Sequence, residues 1–236
     1  MQSEQRVAVI TGASQGIGAG LVAAYRERGW AVVANARHLK PADDPAVLAV
    51  EGDIREPETA DRIVGEALRQ FGQMDTLVNN AGVYLSKPFT DYTRDDYETV
   101  AGINLTGFFI LTQRVLTAML ARSSGHIVNM AATLAERPNS KVPAVLAALT
   151  KGGIAAATRS LAIEYAHRGI RVNAVSPGII QTPLIAQDSY ASSAELVPVG
   201  RVGQVGDVVD GVLFLESSPY ITGEILHIDG GQVAGH

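Results

Sequence analysis

"TGASQGIG", residues 11–18, is the stretch on which the reading of this fold turns. It directly follows a short apolar run, "RVAVIT" (6–11). It opens a helical pattern, "GIGAGLVAAYRERG" (16–29), that stops at a glycine. In that strand–turn–helix setting Gly12, Gly16 and Gly18 let the backbone turn sharply and approach a diphosphate closely. The helix N-terminus then presents free N–H groups and a positive dipole end. Three glycines alone are a weak signal, but in this context they predict a dinucleotide site built from Gly12, Ser14, Gln15, Gly16, Ile17 and Gly18.

Working outward, strand and helix patterns alternate. Strands are predicted at 31–36, 46–53, 75–80, 126–132, 170–176 and 224–229. Helices are predicted at 57–72, 94–125, 143–169 and 206–218, the first with proline at its start and glycine at its end. Apolar strands alternating with helices imply a parallel sheet covered on both faces. The expected architecture is a Rossmann-type, doubly wound α/β fold in one domain spanning 1–236. The widest irregular stretch, about 178–205, is expected to be lid-like. Its Leu184, Ile185, Tyr190, Leu196 and Val197 would cover an apolar or mixed small molecule, or else form the core of a small helix pair.

Composition narrows the function. Hydrophobic residues make up 47% and charged residues 18% of the 236, as in a well-buried globular chain. The net charge is −5 and no Lys/Arg run exceeds two residues, which argues against nucleic-acid and anionic-membrane partners. There is no cysteine, hence no disulfide or thiolate chemistry, and the five scattered histidines lack ligand spacing, so no metal is assigned. The opening "MQSEQRVAVITGAS" does not read as a signal peptide, and the expectation is that no 18-residue apolar run exists and nothing spans a membrane, so a cytoplasmic protein is expected.

The second strand ends "NAR". Ala36 stands where an acid for a ribose 2′-hydroxyl is expected, and Arg37 follows. A guanidinium suits a 2′-phosphate, so NADP is favoured over NAD; the alternative is that Arg37 stacks on the adenine and either cofactor binds.

Taken with "GDI" (52–54), "NNAG" (79–82), "GINLTG" (102–107), "GHIVNM" (125–130), Lys151, "IRVNAVSPG" (170–178) and "ITGEILHIDGG" (221–231), the chain resembles the short-chain dehydrogenase/reductase family over nearly its whole length. The resemblance implies that Asp53 bonds the adenine amino group, with the Ile54 backbone beside it. It places Asn80, Ala81 and Gly82 near the adenine-side ribose, and Pro177, Gly178, Ile180 and Thr182 around the nicotinamide. It gives Lys151 the nicotinamide ribose, and Asn104 a water held through its helix backbone. It also implies a homotetramer or homodimer joined through helices at about 94–121 and 143–168. The second of these is rich in small residues such as Ala144, Ala148 and Gly152.

The family's usual catalytic group is Asn, Ser, Tyr and Lys, with Tyr four residues before Lys. Here Ala147 precedes Lys151 by four, and Ala132, followed by Thr133, stands where the serine is expected. A positioned general acid contributes about 10²–10⁴-fold, roughly 3–5 kcal/mol of barrier. Two readings follow. One is an oxidoreductase acting on an unidentified small molecule with another proton source: Thr133, Ser140, Thr150, Tyr84, or water held by Lys151 and Asn104. Its variant is a substrate, such as a protonated imine, that needs no general acid. The other is a nucleotide-binding protein without hydride chemistry, a cofactor sensor or partner subunit.

Overall fold

Seven short apolar runs form the strands of the computed structural model, which describes residues 5–183 and 193–235. They are β1 (Val7–Thr11), β2 (Ala31–Ala36), β3 (Val47–Glu51), β4 (Thr76–Asn79), β5 (Gly125–Met130), β6 (Ile170–Pro177) and β7 (Ile225–Ile228). All pairings are parallel, in the order β3-β2-β1-β4-β5-β6-β7. The order reverses between β1 and β4, where an open α/β sheet leaves a crevice at the carboxyl ends of its strands.

Strand periodicity sorts the core into two layers. Val7 and Val9 of β1 point to one face and Ala8 and Ile10 to the other. The first face packs on helices α2 (Pro57–Phe71), α4 (Gly107–Arg122) and α5 (Val145–Tyr165) through Ile63, Leu111, Val115, Met119 and Ala162. The second packs on α1 (Gly16–Glu27) and α6 (Val205–Ser217) through Leu21, Tyr25, Val208, Val212 and Leu215. Between β4 and β5 the first layer carries a buried amide ladder. Asn79 Nδ2 donates to Asn129 Oδ1 and Thr112 Oγ1, and Asn129 Nδ2 to Thr158 Oγ1, each over 2.9 Å. Asn79 and Asn129 are register partners, so satisfying these buried amides also disfavours slippage of the pair.

Two predicted helices differ in detail. The long helix expected at 94–125 is instead α3 (Arg94–Ala101), a π turn (Gly102–Thr106) and α4. Thr93 and Asp96 start it with a capping box: Thr93 Oγ1 accepts from the Asp96 N–H, and Asp96 Oδ2 from the Thr93 N–H. Contrary to the expectation that no such run exists, Arg94–Arg122 is long and apolar enough to cross a membrane by length and composition, with a mean hydropathy of 1.3 over 18 residues. Leu111, Val115 and Met119 of this stretch are fully buried in the core layer. The helix expected at 143–169 begins at Val145, after Pro143, and ends in a 3₁₀ turn (Ala166–Arg168) before Gly169, whose φ is 77°.

Of the residues expected to form a lid, Leu184, Ile185 and Tyr190 lie outside the described residues. Val197 is buried, close beside Gly230 after β7. Ile180 forms a parallel bridge with Gly203, which ties this stretch to the start of α6.

Candidate active site

The crevice at the β1/β4 reversal is built by close backbone approach. Gly12 has φ 65°, and a Cβ there would lie 2.9 Å from Asn80 Nδ2 and 3.0 Å from Ala81 Cα. A Cβ on Gly18 would overlap the Gly12 carbonyl oxygen. Only glycine allows α1 to begin against the turn it follows. Asn80 Nδ2 donates to Thr11 O over 2.8 Å and to Gly12 O over 3.2 Å, and Thr11 Oγ1 accepts from the Asn80 and Ala81 N–H groups. The turn after β1 is thereby sewn to the turn after β4. Asn80 spends its side-chain donor on that seam, a role its place in the motif did not reveal.

A cleft of about 450 Å³ runs from this seam. It is lined by Gly12, Ser14, Gln15, Gly16 and Ile17 of the turn, by Asn80, Ala81 and Gly82 after β4, and by Thr182 and Pro183. A Cβ on Gly16 would touch Thr182 Cγ2 at 3.5 Å, so Thr182, expected at the nicotinamide, sits over the glycine turn.

The far end of the cleft is lined by Ala36, Arg37, Asp53 and Ile54. Arg37 is exposed at the lip. Ile54 is buried, with its side chain against Gly107 at the start of α4. Asp53, expected to meet the adenine, is engaged by Arg55, a residue the sequence reading passed over. The Arg55 guanidinium and backbone N–H hold the Asp53 carboxyl below its usual range.

Beside Gly82, Lys151 on α5 reaches back to the end of β5. Its Nζ donates to the Met130 carbonyl over 2.8 Å. A Cβ on Gly82 would lie 3.2 Å from Lys151 Nζ and 3.3 Å from Asn104 Oδ1, so three widely separated stretches converge there. Burial lowers the Lys151 ammonium to about 8. Asn104, 1% exposed, lies in the π turn, the kind of interruption that recurs at functional sites. Its Oδ1 accepts from Val83 N, while Nδ2 donates to Val83 O and to Thr150 Oγ1.

The hydroxyls considered as proton sources are placed differently. Thr150 donates to the Leu146 carbonyl while accepting from Asn104, which commits it within the scaffold. Thr133, buried just beyond β5, bonds the Ser176 carbonyl at 3.3 Å and Asp229 Oδ2 at 3.4 Å. Ser140 is exposed near the Asn139–Val142 bridge. Tyr84 is 38% exposed, and partial burial raises its phenol. Ala147, 2% exposed, lies one turn before Lys151 on α5, and Ala132 is half-buried at the end of β5. Pro177 ends β6, and Gly178 packs so tightly on Gln232 that a Cβ would overlap Gln232 Oε1. Ile180 turns its side chain into the core beside α6 and is not among the residues that line the cleft.

The model of a family described as enoyl-(acyl carrier protein) reductase matches residues 12–232. Cis-4-hydroxycyclohexanecarboxylate dehydrogenase of Sinomonas cyclohexanicum is 37% identical over 245 residues, covering 98% of this chain and 97% of its own. The chain belongs to the short-chain dehydrogenase/reductase family. This short-chain dehydrogenase/reductase also superimposes on the 3-ketoacyl-(acyl-carrier-protein) reductase of Brucella melitensis complexed with NADH, with a TM-score of 0.90 and 32% identity over 98% of this chain and 99% of that one. The structure of ElxO with NADP bound gives a TM-score of 0.91 and 27% identity, covering 98% and 99%. The match spans both the glycine turn and the Lys151 end, so the cleft and the lysine belong to one family scaffold.

Proposed function

We propose that this short-chain dehydrogenase/reductase is an NADP(H)-dependent oxidoreductase of a small molecule, with a proton source other than the family's usual tyrosine. The observation that carries the reading is that Lys151 Nζ and Asn104 Oδ1 both lie beside Gly82, which lines the glycine-rich cleft. The cradle fits a diphosphate, because the glycine turn that lines the cleft runs straight into the N-terminus of α1, where helix N–H groups lack intrahelical partners. Arg37 beside Ala36 at the far lip favours a 2′-phosphate, and the neighbour ElxO has NADP bound.

When bound, the nicotinamide cofactor supplies or accepts the hydride. The chain's own residues orient the dinucleotide and manage the proton. Lys151 presents its ammonium at the reactive end and donates to the ribose. The π turn gives Asn104 a backbone suited to hold a water beside Lys151 Nζ, and that water is the proposed proton carrier. Thr133 would have to turn from Ser176 and Asp229 to serve in its place. Substrates that need little acid help, protonated imines first, suit this arrangement best. The exposed Phe109 on α4 and Val145 and Leu149 on α5 suit a dimer or tetramer contact along these helices.

A second reading, a cofactor-binding protein without turnover, is favoured by Ala147 standing one turn before Lys151 and by the committed hydroxyls of Thr133 and Thr150. NADPH consumption by the purified protein across ketones, imines and activated alkenes separates the two. Turnover that Lys151→Ala abolishes supports the enzyme. Micromolar NADPH binding with no turnover on any of these supports the second reading.

A further inference from the structure

The chain has four lysines, Lys40, Lys87, Lys141 and Lys151, and the surroundings of the last set it apart. Lys151 Nζ donates to the Met130 carbonyl at 2.8 Å. Among the described residues its ammonium meets no carboxylate, and burial is what lowers it to about 8. The side chain one turn before it on α5 is the methyl group of Ala147, and Gly152 and Gly153 follow it. The neighbouring Thr150 hydroxyl is committed to Leu146 and Asn104. Lys87, by contrast, holds Asp96 at 2.7 Å, while Lys40 and Lys141 are exposed. Lys151 keeps part of its surface open, and its Nζ lies beside Gly82, which lines the cleft.

An ammonium held by a carboxylate keeps its proton and has no lone pair to give. Here the acceptor is a neutral carbonyl. A neutral amine satisfies it equally well, because it still has two N–H groups, and its lone pair is then free. Desolvation without a counter-ion is a general route to a nucleophilic lysine. We propose that Lys151 is a carbonyl-capturing amine, which condenses with small aldehydes to a Schiff base when no dinucleotide fills the cleft. The nitrogen adds to the carbonyl carbon and passes one proton to the oxygen. Its second proton and that hydroxyl then leave as water, and the C=N bond forms. Nothing is oxidised or reduced. The Met130 carbonyl and Asn104 Oδ1 lie close around this end of the side chain, so an unbranched aldehyde suits it better than a ketone. This capture goes beyond hydride transfer and does not require it. A bound dinucleotide would exclude it.

The test treats the full chain at pH 7 with limiting propanal and cyanoborohydride, which fixes each imine as a propyl amine, and maps the sites by peptide mass spectrometry. Lys151 should be labelled roughly tenfold faster than Lys40 or Lys141, because a desolvated amine holds far more of its neutral form at this pH. Saturating NADP should suppress the label at Lys151 by about tenfold and leave the exposed lysines unchanged. Lys151→Arg, shown to fold by circular dichroism, should lose the fast site alone. The map of the unaltered protein decides the matter without the variant. Labelling of Lys151 no faster than of Lys40 and Lys141 overturns this inference, and a protein that still binds NADP in a separate titration leaves the cofactor reading standing. Fast labelling that persists with NADP bound overturns it as well, because the amine would then not face the cleft. Fast labelling in a protein that binds no NADP supports the capture and overturns the cofactor reading.

Discussion

Nδ2 of Asn104 donates to Oγ1 of Thr150 over 3.1 Å, joining the π turn between α3 and α4 to the helix that carries Lys151. Both side chains are 1% exposed, and Asn104 also bonds both backbone groups of Val83, directly after Gly82. One amide thus fixes three of the site's walls. Asn104→Ala would leave the Val83 N–H and C=O and the Thr150 hydroxyl without that partner. It is expected to lower unfolding stability by roughly 2–4 kcal/mol in urea titration. Thr150→Val, which removes one link, should cost roughly 1–2 kcal/mol, and Thr150→Ser less.

Gly82 tests the reactive end by geometry alone. A methyl group there would sit 3.2 Å from Lys151 Nζ and 3.3 Å from Asn104 Oδ1, crowding two polar atoms against an apolar one. Gly82→Ala is expected to weaken NADPH binding by about tenfold, roughly 1.4 kcal/mol, measured by fluorescence titration.

Lys151 sets a pH dependence. With its ammonium lowered to about 8 by burial, it is a cation at neutral pH and loses its proton above that value. Turnover in the direction of reduction, and affinity for the anionic cofactor, are expected to fall as pH rises through about 8. Lys151→Arg, with a guanidinium that stays charged, should lose this limb while keeping part of the binding.

A buried cluster at the opposite end of the sheet makes folding acid-sensitive. Glu216 Oε2 accepts from Thr76 Oγ1 at 2.7 Å, Tyr25 OH at 3.1 Å and His126 Nδ1 at 3.0 Å. His126 Nε2 lies 3.1 Å from the Asn173 Nδ2 donor, with Arg171 beside it, so the neutral ring is the one that fits. Burial lowers the His126 imidazole, and Arg171 adds to this. Burial alone would raise Glu216, but the bonds from His126, Thr76 and Tyr25 hold it below its usual range. Both groups therefore have folded pKa values beneath their unfolded ones. Their contribution is present above the unfolded value, about 6.5 for histidine, and is lost as pH falls. The urea midpoint should drop between pH 7 and 5, and His126→Gln should flatten that drop. Glu216→Ala should cost roughly 3–5 kcal/mol at pH 7, because its donors stay buried without their acceptor.

Ala147 offers a gain-of-function test. It lies four residues before Lys151 on α5, which puts both on one helix face. Ala147→Tyr, with Ala132→Ser if needed, is expected to raise ketone reduction by about 10²-fold or more. A variant that folds, binds NADPH and shows no such gain would argue that position 147 is not the equivalent of the family's tyrosine.

Much of the architecture could be read from the chain because its signals are local. Alternation in "RVAVIT", the glycines of "TGASQGIG", Pro57 opening α2 and Gly72 closing it each act within a few residues, and the structure realises them as β1, the turn and α2. The Thr93–Asp96 capping box was equally local, yet nothing local marked the π turn that follows it. "GINLTG" has no proline and reads as continuous helix. The interruption brings Asn104 to Val83 and Thr150, partners 21 and 46 residues away.

The residue types and their spacing determined by themselves that this chain would form a doubly wound sheet with a glycine-lined dinucleotide cleft, and that Ala147 rather than a tyrosine would precede Lys151. The tertiary structure alone decided which polar atoms are already spent. Asn80 is committed to the turn after β1, Thr133 to Ser176 and Asp229, and Asp53 to Arg55. Helical and strand periodicities follow from backbone geometry that each segment carries with it. A donor or acceptor is satisfied or left open only by what packs beside it, and except in the Asp53–Arg55 chelate those partners come from distant parts of the chain.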